Sequence, residues 1–287
     1  MRKDDRLGRI GFKVVDRRKD EVEPLLLQAA REGRPLEVGI YYHDPATHDC
    51  LDSLLPQSGV PLNTHIDHRR LSVFALNDED LVDSLRRQIE LSLRWGAAYG
   101  IDHLSAFCLS RRPEYQDALF ERLMAHLRSL NRLCREYRFP MHIENTYHDI
   151  DLYRQMFAGM AAEQLDYIHF CFDIGHAKVW STEPLTAWIE FMFELESWDR
   201  RLHFHLHANR GLSDEHLSFA EAEWLEICGI DDYTTPWNTF EALSVLDNAF
   251  PTARKVLEVP PFEAREDLQR IIEAVTRIRR QDALISA

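Results

Sequence analysis

Three histidines alternate with other residues in segment 201–208, which reads RLHFHLHA. The period of two predicts a β-strand that carries His203, His205 and His207 on one face and apolar side chains on the other. Three imidazoles on one strand face could bind a divalent metal, although a half-exposed strand in a histidine-rich chain would look the same. The loop that follows adds three polar side chains, namely Arg210, Asp214 and His216.

Further metal-binding side chains occur near the ends of other predicted strands. Glu144 lies in 141–146, Asp173 in 168–174 and Glu258 in 255–259, while His65 lies in 61–67. A carboxylate at a strand end often only caps the next helix, so a metal site requires that these ends converge. Glu144, Asp173, His205 and Glu258 together would offer oxygen and nitrogen ligands without thiolates. That ligand set suits Mn²⁺, Mg²⁺, Co²⁺ or Zn²⁺.

The elements that must position these residues alternate between strand and helix along the whole chain. Long amphipathic patterns, such as 78–99 and 115–137, separate eight short β-rich runs. Such alternation without a linker predicts an α/β fold, a single (β/α)₈ TIM barrel over residues 1–287. In such a barrel the functional residues lie at the C-terminal ends of the strands. The eight predicted strands are 10–15, 36–42, 61–67, 103–109, 141–146, 168–174, 201–208 and 255–259.

The composition limits the class of protein. The 287 residues are 45% hydrophobic, which is enough for a large core, and the net charge is −14. That charge argues against a protein that grips phosphate backbones. The five cysteines are scattered and never form a C-x-x-C pair, as expected of buried thiols in a reducing compartment. With a highly charged N-terminus and no long apolar run, we expect a cytoplasmic protein without a membrane segment.

Four phrases occur in an order that resembles a known superfamily: MHIENTYHD, CFDIGHAKVW, HFHLHANRG and VLEVPPFE. They are similar to the xylose-isomerase-like TIM barrels, which include sugar phosphate isomerases and epimerases and the metal-dependent AP endonucleases (AP endonuclease family 2 type). The resemblance covers nearly the whole chain. It implies that Glu144, Asp173, His205 and Glu258 are metal ligands. It also implies that His176 and Arg210 contact the substrate.

The endonuclease branch requires additional metal ligands. It has a histidine at the end of the fourth strand, seven residues after the glycine of the preceding turn. Counting from Gly100 leads to Phe107, and His103 is expected at the start of the strand, at the wrong end of the barrel. The residue three after His205, an aspartate in both branches, is Ala208. A second metal site could nevertheless form from His65, His176, Asp214 and His216.

These observations predict a divalent-metal-dependent sugar isomerase or epimerase that transfers a proton through an enediolate. Glu144 and Glu258 would be the catalytic acid and base. The alternatives are a phosphodiesterase of the AP-endonuclease type and a metal-binding barrel without isomerase activity. The partner would be a small sugar or polyol rather than nucleic acid or a membrane, and homo-oligomerisation is left open. Side chains predicted to contact the substrate are His176, Arg210, His65, His207 and Trp237.

Overall fold

The computed structural model describes residues 9–67, 79–104, 113–211, 213–221 and 239–285. Eight parallel strands form a closed barrel in which each strand pairs with the next along the chain, and β8 pairs with β1. The prediction of a single-barrel architecture is therefore confirmed. The strands are β1 (Ile10–Val15), β2 (Leu36–Gly39), β3 (Leu62–His65), β4 (Gly100–His103), β5 (Met141–Glu144), β6 (Ile168–Asp173), β7 (Leu202–Leu206) and β8 (Arg254–Leu257).

Helices follow the strands and cover the outside of the barrel. Their apolar faces pack on the outward-facing strand residues, as with Trp188 and Phe191 against Phe170. None of the helices in the described part of the chain is long and apolar enough to cross a membrane. The helices are Lys19–Glu32, Pro45–Ser58, Glu79–Trp95, Pro113–Tyr137, Ile150–Ala162, Ile174–Trp180, Leu185–Ser197, Thr239–Ala249 and Ala264–Ile285.

The position of the fourth strand corrects the sequence prediction. The preceding helix ends at Trp95, and Gly96 follows with φ 84°, a left-handed conformation that favours glycine. Gly100, which the sequence pattern indicates as the helix stop, instead begins β4, where it lies against Met141 and Phe139. His103 therefore ends the strand, on the functional side of the barrel. It also lies seven residues after the turn glycine, when that glycine is Gly96.

Other differences concern the connections. The helices Pro45–Ser58 and Ile174–Trp180 are not predicted by the sequence pattern, because their apolar spacing is short or interrupted. In the connection after β7, residues 219–221 are helical and residues 222–238 lie outside the described residues. Trp237 also lies outside them, so its predicted contact with substrate stays a prediction.

Candidate metal centre

Four side chains from four strands converge at the C-terminal end of the barrel, and we name them the central group: Glu144, Asp173, His205 and Glu258. Nδ1 of His205 lies 3.1 Å from Oε1 of Glu144, 3.0 Å from Oε2 of Glu258 and 3.8 Å from Oδ2 of Asp173. These are the residues that the sequence and the resemblance predicted as metal ligands. The structure brings all four together.

The atoms that face one another in the central group lack hydrogen bonds among the described residues. Oε1 of Glu144, Oδ2 of Asp173, Nδ1 of His205 and Oε2 of Glu258 are buried and unsatisfied. Leaving one such buried polar atom unpaired costs about 1–3 kcal/mol, and more for a charged group. Three such oxygens within 3.8 Å of one imidazole nitrogen suit a cation that takes oxygen and nitrogen ligands.

Glu144 belongs to a second set of ligands, which we name the His103 group: His65, His103 and Glu144. Its Oε2 lies 3.0 Å from Nε2 of His65 and 2.8 Å from Nε2 of His103. The two imidazole nitrogens are 3.2 Å apart. One carboxylate therefore faces two ligand sets, with Oε1 toward the central group and Oε2 toward the His103 group.

A third set lies on the other side of Asp173, and we name it the Asp214 group: His176, His207, Asp214 and His216. Nε2 of His176 and Nε2 of His216 lie 3.3 and 2.9 Å from the Asp214 carboxylate. Nε2 of His207 lies 3.0 Å from Oδ1 of Asp173, which connects this set to the central group. The four side chains could together hold one ion.

The second ring nitrogen of several histidines is held by a fixed partner. Nδ1 of His65 lies 3.1 Å from the Ile66 carbonyl, and Nδ1 of His176 lies 2.8 Å from the Asn145 carbonyl. A ring that donates one N–H to a carbonyl or carboxylate leaves the other nitrogen free as a metal ligand. The same pattern continues with His207, beside the Ala208 carbonyl, and with His205, beside Glu37.

Glu37 and Lys13 support the centre from below. Both are buried, and Nζ of Lys13 lies 3.4 Å from Oε1 of Glu37 and 2.6 Å from Oε1 of Glu258. Oε1 of Glu37 lies 3.0 Å from Nε2 of His205. Glu37 thereby orients a predicted ligand, and Lys13 balances part of the charge of two carboxylates.

The histidines respond to an excess of negative charge. Burial alone would lower the pKa of His205, yet its pKa lies well above the usual value because Cys171 and two carboxylates surround the ring. Burial likewise opposes the raised pKa of His176, which Asp173 and Asp214 stabilise in the charged form. Glu258 and Asp214 raise the pKa of His216 to about 8 despite its burial. In the absence of metal, the positive charge of these protonated rings offsets the negative charge of the carboxylates, as divalent cations would.

The structure separates some residues that the sequence had grouped. His65 was predicted to share a second site with His176, Asp214 and His216, but it lies with His103 instead, across the central group. Arg210 is exposed, and its Nε donates to Glu215 at 2.9 Å. Its predicted contact with substrate stays a prediction, and it would require Glu215 to release the guanidinium.

Three residues of the centre were missed or misplaced by sequence reasoning, namely Lys13, Glu37 and His103. Lys13 and Glu37 each interrupt an apolar strand at an inward-facing position, and a charge inside a buried strand is the signal that could have found them. His103 was misplaced because two glycines follow the preceding helix, and the one that ends it is Gly96.

Comparison with solved structures agrees with this architecture. Among similar structures, a Thermus thermophilus protein soaked with ZnCl₂ is 20% identical with a TM-score of 0.62, covering 91% of this chain and 97% of its own. A D-tagatose 3-epimerase-like protein is 17% identical with a TM-score of 0.65, covering 93% and 98%. Endonuclease IV from Thermus thermophilus is 18% identical with a TM-score of 0.60, covering 93% and 98%.

These likenesses define the fold, which is that of the xylose isomerase-like TIM barrels. Structures with this fold include epimerases, isomerases and endonuclease IV, and some of them contain zinc or magnesium. No protein-family model and no curated protein matches the chain. The centre itself is therefore the guide to the activity.

Proposed function

We propose that the protein is a divalent-metal-dependent hydrolase that cleaves a small phosphate ester. One observation carries the proposal: the Glu144 carboxylate is shared between the central group and the His103 group. The sequence favoured an isomerase because a histidine was missing from the fourth strand, and His103 now fills that position. Carboxylate-bridged sites for two or more metals are typical of phosphatases and nucleases.

The chain's own side chains would divide the work. The three groups would hold divalent ions, which would polarise the phosphoryl oxygens and activate water. In the hydrolysis, water attacks phosphorus, the bond to the ester oxygen breaks, and the alcohol leaves with a proton from that water. His176 and His216 lie on either side of Asp214 and would hold one of these ions together with that carboxylate. Trp180, whose ring lies 4.8 Å from that of His176 and 4.5 Å from that of Tyr147, would form an aromatic wall beside the bound substrate.

A small substrate fits the chain better than nucleic acid does. The net charge of −14 opposes the approach of a polyanion, and Glu215 neutralises Arg210 beside the centre. A phosphorylated sugar or polyol would keep the hydroxylated character of the substrate that the sequence predicted. The cytoplasmic location and a homo-oligomeric state stay predictions.

The second candidate is the sugar isomerase or epimerase predicted from the sequence. The observation that favours it is that Glu144 and Glu258, from β5 and β8, both lie close to Nδ1 of His205, at 3.1 and 3.0 Å. Two carboxylates on different sides of one ion could remove a proton from a sugar carbon and return it. This chemistry uses the central group and does not require the His103 group.

Two assays on the same protein separate the candidates. Protein loaded in turn with Mn²⁺, Zn²⁺, Co²⁺ or Mg²⁺ is tested for release of phosphate or alcohol from phosphate mono- and diesters. It is also tested for incorporation of solvent deuterium into unphosphorylated ketoses. We expect ester hydrolysis that falls roughly 10²-fold or more in Glu144→Gln and His103→Ala. Deuterium incorporation without ester hydrolysis would overturn the proposal in favour of the isomerase.

A matched control guards against effects of folding. Glu163→Gln removes a carboxylate whose partner is the surface residue Arg128, far from the centre. This variant should retain full hydrolysis with every metal. Thermal unfolding of each variant in the presence of metal would show whether a loss of activity reflects a loss of the fold.

A further inference from the structure

Two adjoining cavities open at the N-terminal end of the barrel, the end opposite the metal centre. Their volumes are ≈ 720 and ≈ 530 Å³, within the range of small-molecule sites. They share Ala98, Asp199, Arg200 and Arg201 as lining residues, which makes them parts of one depression. No residue of the central, His103 or Asp214 group lines either cavity, so a ligand bound there would be independent of the proposed function.

The lining is locally cationic in a strongly acidic protein. It carries four arginines, Arg138, Arg200, Arg201 and Arg254. Ion pairs between described residues engage none of the four. Three acidic residues also line the depression. Asp166 is bound by Arg135 at 2.7 Å, while Glu196 and Asp199 are exposed at the rim.

Two buried polar atoms of the lining lack a partner among the described residues. They are Nε of Arg200, which is 6% exposed, and Nδ1 of His142, which is 1% exposed. The Arg200 guanidinium is held in place because its Nη1 donates to the carbonyls of Leu165 and Ile168, at 2.7 and 3.1 Å. A buried N–H without an acceptor is costly, and a bound oxyanion would satisfy it.

Positively charged side chains also surround an imidazole at the cavities, that of His169. Burial, together with Arg201 and Arg200 beside the ring, lowers the pKa of His169 to about 3. The His169 ring is therefore neutral, and it can donate one N–H to an anion without carrying a charge of its own.

We propose that this depression binds a small molecule through a phosphate group. Guanidinium groups bind phosphate oxygens through paired N–H donors, and Arg201 and Arg254 can do so without giving up an ion pair. The immobilised Arg200 and the buried His142 ring would supply further polar contacts from the wall. The cavity is larger than a phosphate ion, which leaves room for the organic part of a phosphorylated metabolite.

Titration with inorganic phosphate and with glucose 6-phosphate tests the proposal on full-length protein loaded with diamagnetic Zn²⁺ or Mg²⁺. Binding is measured by calorimetry and by NMR of ¹³C-labelled histidine rings, assigned through His142→Gln and His169→Gln. We expect saturable shifts of the His142 and His169 ring signals. Binding at the metal centre alone would instead shift the signals of residues such as His65, and would overturn the proposal.

Charge-removal variants locate the phosphate. Arg201→Ala should weaken the binding that shifts His142 and His169 by roughly tenfold or more, and Arg138→Ala serves if that variant does not fold. Arg128→Ala, which removes a surface arginine bonded to Glu163, should leave the binding unchanged. Tighter binding of glucose 6-phosphate than of phosphate would support the proposal with an organic ligand, and equal binding would support it with the free ion. Absence of saturable shifts, or equal weakening by Arg201→Ala and Arg128→Ala, would overturn it.

Discussion

Nε2 of His103 lies 2.8 Å from Oε2 of Glu144, and the two residues are register partners on the neighbouring strands β4 and β5. The other oxygen of that carboxylate lies 3.1 Å from Nδ1 of His205 on β7. Glu144 thus stands between two sets of metal ligands. This position distinguishes a multinuclear centre from the single-ion site that the strand ends alone indicated.

Gly175 lies against the His207 ring, and a larger residue there would disturb the Asp214 group. A Cβ at this position would lie 2.1 Å from Cε1 of His207, whose ring also stacks on that of His216 at 4.3 Å. We expect Gly175→Ala to displace the His207 ring and weaken the binding of one ion by roughly 10–100-fold. Chelator competition would measure this affinity.

The control for this experiment is another glycine at a helical position. A Cβ at Gly159 would meet the flexible end of Met124, with Cε at 3.1 Å, so Gly159→Ala should bind metal as the wild type does. Unchanged metal affinity in Gly175→Ala would contradict the assignment of His207 to the centre.

Lys13 should contribute to stability even when no metal is bound. It contacts Glu258 at 2.6 Å and Glu37 at 3.4 Å in the barrel interior. Lys13→Met leaves these carboxylates without their cation and should lower the free energy of unfolding by about 3–5 kcal/mol. Chemical denaturation of metal-free protein would measure it.

The double variant Lys13→Met/Glu37→Gln is the matched comparison. Because it removes a carboxylate together with its cation, it should recover part of the stability that Lys13→Met loses. The double variant could instead lose as much stability as Lys13→Met and Glu37→Gln lose together. That result would show that Lys13 acts by packing rather than by charge.

Metal binding should release protons near neutral pH. The pKa values of His176 and His205 lie well above the usual value and that of His216 is about 8, so these rings are charged in the metal-free protein. Histidine must be neutral to bind a metal, and the release should decline as the pH rises above these pKa values. Calorimetric titration of metal in buffers of different ionisation enthalpy would count the protons.

A histidine outside the centre controls for this count. Burial lowers the pKa of His126 to about 4, so its ring is already neutral at pH 7 and His126→Gln should release the same number of protons. Heats of binding that are independent of the buffer would contradict the charged state of the three rings.

Asp102 should make stability depend on pH without involving metal. Burial raises the pKa of this carboxyl to about 7, and its Oδ1 has no hydrogen bond among the described residues. Because the pKa is raised in the folded state, ionisation destabilises the fold as the pH rises from the unfolded value toward 7. Asp102→Asn should therefore stabilise the protein above pH 7 by up to roughly 4 kcal/mol.

Thermal unfolding of wild type and Asp102→Asn at alkaline and acidic pH would check whether the variant is more stable only at the higher pH. The gain from Asp102→Asn should shrink toward pH 4, where the carboxyl is protonated in both states. Asp151→Asn, at a side chain that is 91% exposed, should show no comparable dependence. A gain that is the same at both pH values would show that burial does not raise the pKa of Asp102.

The sequence was sufficient for the barrel and for the central group, because both depend on local patterns. Strand periodicity and the position of a residue at a strand end brought Glu144, Asp173, His205 and Glu258 to the same place. The two outer groups depend on details that periodicity does not resolve. His103 depends on which of two glycines adopts a positive φ, and Gly96 does so while Gly100 enters the strand.

The supporting residues were harder to predict for a different reason. Lys13 and Glu37 are register partners on the neighbouring strands β1 and β2, but they meet Glu258 and His205 only when the barrel closes. Arg210 illustrates the opposite error, because a loop arginine near a site can be neutralised by a close neighbour such as Glu215. Local sequence does not determine whether such an arginine pairs with a neighbouring carboxylate or with a substrate.

The number of metal ions bound per chain decides whether the centre is multinuclear. Elemental analysis of metal-replete protein, after removal of free metal, should find more than one divalent ion per chain. His103→Ala should contain one ion fewer and still retain the ion of the central group. A single ion per chain in the wild type, unchanged in His103→Ala, would contradict the multinuclear centre and the hydrolase proposed from it.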